Sequence, residues 1–339
     1  MLAALLAEKP KYASVALQKR MIFCFPAAMQ AGMPLELVAF ADTVQPFLIH
    51  HSSIRGRVVR LMTVTDTILS RHAYPPVVSH LLAELLVVST MLSANLKGKG
   101  ILTLQLKGDG LVKFIVVDAT AEGALRGYAG FEESALPLLE KLRPNHARLS
   151  DVLGSGYIAI TLDQGKEPYQ GIVALSGETL TETLQAYFTH SEQSEVFVKT
   201  AVDYHEDAEG APHWIAGGVI LQHVPGEGGF GIAEGSQSEE SPEEQWRRAT
   251  ALATTLKEEE LTDLYLSPAQ LLYRLFNEDG VWVYDAATVV AGCRCSRQKI
   301  LATLQSFSAA DLAEMAIDGV ISVTCQFCNT TECFSEGLG

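Results

Sequence analysis

The chain has 339 residues, a formal net charge of −15 and a pI near 5.0, with 48% hydrophobic and 19% charged residues. That balance excludes a disordered or fibrous chain and fits two or three domains with at least one sizeable core. The acidic charge opposes binding to a phosphate backbone, where Lys and Arg supply most of the affinity, so no nucleic-acid partner is expected.

Residues 1–40 read as an extension expected to be poorly ordered: Met1–Ala7 is apolar, Lys19 and Arg20 are basic, and Met21–Met33 is apolar again around Cys24 and Pro26. The Lys19-Arg20-Met21 order mimics part of a secretory signal, but its charges follow an apolar stretch; an upstream start, with Met33 as the true one, is the other plain reading. From Asp42 the texture is that of a folded domain. Ile54–Leu61 alternates as a strand, and Thr63–Arg71 reads as a short helix stopped by Tyr74-Pro-Pro76. Val77–Leu92 is apolar nearly all round, predicting a buried central helix and no membrane span. His80 and Glu84 are four apart on it, where an internal hydrogen bond or a wet stripe is a plainer reading than a metal or acid–base pair.

Ile101–Leu106 and Leu111–Val117 flank Lys107-Gly-Asp-Gly110 as a hairpin. Strands are predicted at Ala124–Ala129, Gly156–Leu162, Tyr169–Leu175, Val196–Tyr204 and Trp214–Leu221, with a helix at Glu178–His190. Gly98, Gly100, Gly217 and Gly218 read as turn or close-approach positions, and no G-x-x-x-x-G-K-[ST] phosphate loop occurs. Pro225–Glu244 has the composition of a flexible acidic linker. Helical patterns follow at Glu244–Lys257 and Ser267–Asn277, separated by Glu258–Glu260, and they lack an evident packing partner in the sequence.

Four of the six cysteines then fall into two close pairs, Cys293-x-Cys295 and Cys325-x-x-Cys328, on either side of residues 296–324. Two short thiolate knuckles supply the four soft ligands that tetrahedral zinc takes, so one Zn²⁺ per chain is expected on Cys293, Cys295, Cys325 and Cys328. Between them, Ser296–Phe307 and Ser308–Ile317 read as helices, the second with a Ser308-x-x-Asp311 capping box, and Ile321–Cys325 reads as a strand. Cys24 and Cys333 lie outside the motif; Cys333 reads as a spare ligand, an alternative disulfide partner or, most plainly, a bystander. Paired thiols fit a reducing, cytoplasmic compartment rather than a disulfide scaffold. Thiolates are also the form that attacks oxidants, and Arg294 and Arg297 read as positive potential offsetting the cluster. The fold class expected is α+β: a large N-terminal mixed α/β domain (41–224), a flexible and helical linker (225–286), a small four-cysteine zinc-binding domain (287–334) and a tail (335–339).

This order of elements resembles the Hsp33 family of redox-regulated chaperones from about Asp42 to Phe334. The likeness rests on Ser53-Ile-Arg-Gly-Arg-Val-Val-Arg-Leu61, Arg71-His-Ala-Tyr-Pro75, Leu81–Leu86, Leu102–Gly108, Leu125-Arg-Gly-Tyr128 and Tyr169-Gln-Gly-Ile-Val173. Further matches are Tyr187-Phe188, Ser191–Gln193, Ala216–Gly218, Leu272-Tyr-Arg-Leu-Phe276 and the two cysteine motifs, the last being the most specific. The first 40 residues and the long Gly/Glu linker depart from the pattern. The resemblance implies an ATP-independent holdase, not an enzyme, that is inactive when reduced and zinc-bound. It implies that oxidation forms the Cys293–Cys295 and Cys325–Cys328 disulfides, releases zinc, unfolds the linker and exposes a surface for unfolding client proteins, with a homodimer when oxidised. A zinc-containing thiol oxidoreductase is the alternative, disfavoured because Cys325-x-x-Cys328 follows a strand and opens no clear helix. A zinc-ribbon nucleic-acid binder is opposed by the charge, and a catalytic zinc hydrolase by a ligand set that leaves no seat for water.

Overall fold

The computed structural model describes residues 40–50, 52–94, 96–165, 167–206, 212–223 and 240–335. The extension before Phe40 with Cys24, most of the acidic linker, and residues 336–339 lie outside the described residues.

Two six-stranded sheets enclose one long helix. The first has the order β10-β1-β2-β9-β8, with β11 also on β1: β1 is Thr43–Ile49, β2 Ile54–Leu61, β8 Val196–Glu206, β9 Pro212–His223, β10 Val281–Val283 and β11 Ala287–Thr288. The second has the order β12-β5-β4-β3-β6-β7, from β3 Ile101–Gly108, β4 Val112–Thr120, β5 Ala124–Phe131, β6 Gly156–Asp163, β7 Tyr169–Ala174 and β12 Val290–Ala291. Neighbours are antiparallel except β12, which adds parallel to β5. This is the α+β organisation expected.

Helix α2, Pro76–Ser93, packs against strands of both sheets, which is why its sequence is apolar on every side. Fully burying each of its leucines contributes roughly 1.5–3 kcal/mol. Ser89 and Thr90 remain compatible with that burial because their hydroxyls donate to the carbonyls of Leu85 and Leu86 at 2.7 and 2.8 Å. This helix has the length and composition of a membrane span, and it is core. The preceding helix α1, Thr63–Leu69, is shorter than expected; the Asp42 carboxylate accepts from the backbone of Met62, Thr63 and Val64 and caps it from 20 residues away.

Short helices α3, Leu136–Leu139, and α4, Leu149–Leu153, precede β6, and α5, Leu180–Ser191, follows β7. Helix α6, Pro242–Thr254, is followed by α7, Glu258–Thr262, and α8, Pro268–Phe276. The residues Glu258–Glu260, read from sequence as a break, form the first turn of α7, where carboxylates complement the helix N-terminus.

These three helices do have a packing partner, and it is not the cysteine module. Ala249, Ala253, Leu256, Leu261, Leu266, Leu271, Leu272 and Phe276 form a second core with Phe47, Ile54, Val58, Val219 and Leu221 on the outer face of the first sheet. Gly217 and Gly218 serve the two sides of that sheet. A Cβ at Gly217 would meet the Leu261 carbonyl oxygen at 2.2 Å, and one at Gly218 would meet Val87 of α2 at 2.7 Å.

The chain ends in a small module of α9, Arg297–Leu304, α10, Ala309–Met315, and a hairpin of β13, Val320–Thr324, with β14, Thr331–Ser335. Ser296 caps α9, and Ser308 with Asp311 forms the expected capping box on α10. Its buried core is Leu304, Ile321 and Phe334, too little to hold some 40 residues by apolar burial alone.

Candidate metal centre

The sulfurs of Cys293, Cys295, Cys325 and Cys328 all lie within 4.8 Å of one another. Cys293 follows β12 by two residues and Cys325 follows β13 directly, so two strand ends deliver the two knuckles to one point. The second turns sharply: the Cys325 amide donates to Thr330 O, Asn329 N donates to Cys325 O at 2.7 Å, and Asn329 takes φ 56.

Sulfurs on one metal at about 2.3 Å and tetrahedral angles stand about 3.8 Å apart. Cys293 Sγ lies 3.7 Å from Cys325 Sγ, and Cys295 Sγ 3.4 Å from Cys328 Sγ. The donor set and its spacing therefore fit one soft ion with no protein position left over. Burial works against ionisation at Cys328, but hydrogen bonds from Thr330 and the neighbouring thiols outweigh it and bring the group down to about 6. Burial also opposes Cys293, whose bonds from the Cys295 amide and thiol lower it. Cys295 is raised, by hydrogen bonding to Cys293 and then by burial, and Cys325 is raised first by burial.

The arginines beside the first knuckle, read from sequence as positive potential offsetting the cluster, are each paired with a carboxylate. Arg294 Nη2 pairs with Asp118 on β4, while Arg297 pairs with Glu332 at 2.8 Å and covers the Phe334 ring. Arg126 of β5 reaches the cluster, its Nη1 3.9 Å from Cys293 Sγ. Asp118, with only 5% of its side chain exposed, joins Arg126, Arg294 and Thr103; burial resists its ionisation, but the Thr103 and Arg126 bonds hold it below the usual carboxylate range.

The second knuckle docks beside this network. The Arg126 guanidinium lies 3.9 Å over the Phe327 ring, Arg71 Nη1 donates to Phe327 O, His72 Nε2 is 2.7 Å from Gln326 O, and Asn329 Nδ2 donates to Arg71 O. Sequence reasoning missed Asp118 as a site residue, although an acid inside Val116-Val117-Asp118-Ala119 signals a charge that needs a buried partner.

His80 and Glu84 stand apart from the cluster. Both line a cavity of about 440 Å³ between α2, α5 and β8, and Glu84 Oε1 accepts from Thr200 at 2.7 Å, the internal bond expected. Cys333 is exposed on β14 with its sulfur 3.6 Å from Ser322 Oγ and is not part of the cluster.

Comparison with known proteins adds three findings. A family model described as Hsp33 protein matches residues 42–335. The 33 kDa chaperonin of Caulobacter vibrioides is 39% identical over 293 residues, 85% of this chain and 93% of that one, and the 33 kDa chaperonin of Proteus mirabilis is 33% identical over 299 residues, 87% and 94%. The crystal structure of the 33 kDa chaperonin (heat shock protein 33 homolog) of Thermotoga maritima aligns with a TM-score of 0.70 at 25% identity, covering 87% of this chain and 95% of that one.

Proposed function

Because the chain belongs to the Hsp33 family, whose members are chaperones and not enzymes, we propose that it is a redox-regulated, ATP-independent holdase for unfolding proteins in a reducing, cytoplasmic setting. The observation that carries this reading is the convergence of two sequence-local thiol pairs on one point, in a module whose own core is three residues. In the reduced state Cys293, Cys295, Cys325 and Cys328 hold one Zn²⁺. Bound there, zinc supplies structural free energy, worth roughly 10–16 kcal/mol in small zinc modules.

Oxidation uses the chain's own sulfurs. A thiolate attacks a peroxide oxygen, the O–O bond breaks, and a sulfenic acid and hydroxide result, the hydroxide taking a proton from solvent to become water. The neighbouring thiol displaces the sulfenic oxygen, an S–S bond forms and a second water leaves. Two such rounds form Cys293–Cys295 and Cys325–Cys328, consume two peroxides and leave no thiolate of the four for a metal. The module then has the small cluster of Leu304, Ile321 and Phe334, with partly buried neighbours such as Ile300 and Leu312, to hold it, and its grip on the second sheet through Asp118 and Arg126 and on the α1–α2 turn through Arg71 and His72 loosens.

The linker is the second moving part. Residues 41–224 act as the client-binding core, 225–286 as the linker and 287–334 as the switch. Strands β10, β11 and β12 connect the switch to both sheets, so their release frees α6–α8 from below and opens the apolar face they cover. A uncovered face of that kind is an interaction surface for unfolding clients and for a second oxidised copy.

Light scattering of a heat-denaturing client tests the reading. The oxidised protein suppresses aggregation and the reduced, zinc-loaded protein does not; equal behaviour of the two forms refutes the switch.

A further inference from the structure

Two cations rise from the apolar face that α6–α8 cover. Arg60 on β2 is completely buried. Its Nε donates to Leu261 O at 3.1 Å, its Nη1 to Leu266 O at 2.7 Å and its Nη2 to Glu260 O at 3.2 Å. Glu260 and Leu261 belong to the last turn of α7, whose carbonyls lack helical partners, and Leu266 leads into α8. Lys199 on β8 reaches the same segment, donating to Thr254 O at 3.5 Å and to Leu256 O at the end of α6.

The sheet is shaped around this contact. Gly217 faces Arg60 across the β2–β9 ladder, and its missing Cβ leaves the room that the Leu261 carbonyl occupies. An apolar face that only packed helices has no use for a guanidinium, because burying one is costly unless its donors are satisfied. Here the acceptors all come from the covering segment. Apolar contact alone is non-directional, whereas a planar fork bonded to three fixed carbonyls admits one placement.

We propose that Arg60 is the positioning residue of the linker: it pins α7 and the turn into α8 onto the sheet, so that the cover seats in one register and lifts as a unit. Once lifted, it leaves a hydrated cation within the uncovered apolar face. The pin is independent of what the face binds; only its regulatory consequence rests on the holdase reading.

The test is amide hydrogen exchange on the full chain, reduced and zinc-loaded. Arg60→Met keeps the stem and removes the donors. Protection in α7 and α8 is expected to fall by about 100-fold, while α2, the β13–β14 hairpin and the zinc content are unchanged. Arg60→Lys, which cannot reach three carbonyls at once, falls between. Gly217→Ala pushes Leu261 off the sheet and loosens the same amides by a clash that does not involve the Arg60 donors; Arg60→Lys decides the matter alone if Arg60→Met does not fold. Protection of α7 and α8 kept within about threefold of the parent in the folded variants overturns the pin. Release of these helices without suppression of client aggregation leaves the pin standing and overturns the holdase reading.

Discussion

Asp118 and Arg294 form an ion pair across the junction of the second sheet and the first cysteine knuckle, 176 residues apart in sequence. Arg294 sits between Cys293 and Cys295 of the cluster, so this pair ties the sheet directly to it. Asp118→Asn leaves Arg126 and Arg294 facing each other without a carboxylate. The expected cost is about 2–4 kcal/mol by urea unfolding, together with faster loss of zinc to a chelator. Arg294→Ala costs less, about 1 kcal/mol, because Asp118 keeps Arg126 and Thr103. Equal effects of the two substitutions would count against Asp118 as the shared anchor.

The cysteines are predicted to separate cleanly. Cys328→Ser abolishes stoichiometric zinc in the purified reduced protein, since a hydroxyl is a poor substitute for a thiolate ligand. Cys333→Ser leaves zinc content and the response to peroxide unchanged, because that sulfur is exposed on β14 and outside the cluster. Metal analysis of both proteins checks this, and a zinc loss in Cys333→Ser contradicts it.

Chelation of the reduced protein separates metal from disulfide. Removing zinc without oxidant is expected to erase amide protection in α9, α10 and the β13–β14 hairpin, whose buried core is three side chains, and to leave α2 protected. Hydrogen exchange before and after chelator reads both regions at once. Persisting protection of the hairpin would show that the module holds itself together.

Burial raises the Glu84 carboxyl to about 6; the Thr200 hydroxyl opposes the rise and Glu258 adds to it. A carboxyl raised in the folded state above its unfolded value of 4.5 binds more protons folded than unfolded. Its contribution to stability is therefore lost as pH climbs from about 4.5 to about 6, and the loss is complete above that. Glu84→Gln removes the loss, making the protein about 1–2 kcal/mol more stable than the parent at pH 7 and no more stable at pH 4, with the figure reduced because Glu84 lines a cavity. His80, brought down to about 4 by burial, titrates in both proteins and cancels in the comparison. Urea midpoints at the two pH values check the sign.

The central helix, the β3–β4 hairpin and both knuckles were legible because each is encoded by local pattern: apolar periodicity, a Gly-Asp-Gly turn and close thiol spacing. Strand β1 was not, because Pro46 stands in its middle, where a proline cannot donate to a ladder. The fold accommodates it by interrupting the neighbour: β10 pairs with Phe47–Ile49, β11 with Thr43 and Val44, and the Pro46 carbonyl alone is used, accepting from Tyr284 N. Strands β11 and β12 are two residues each and exist only because exposed edges of the core await them. The partners of Arg60, Asp118 and α6–α8 are set by contacts far apart in the chain, which periodicity does not carry.

The outer face of the first sheet is covered by α6–α8, so on the proposed reading it would hold those helices or a client, but not both. On the proposed reading this makes client and zinc mutually antagonistic, and thermodynamic linkage makes the antagonism symmetrical: whatever factor zinc takes from client affinity, a bound client takes from zinc affinity. Reduction alone would then not close the protein while its cargo stayed unfolded. On that reading the oxidant would set when holding begins, and the fate of the cargo would set when it ends.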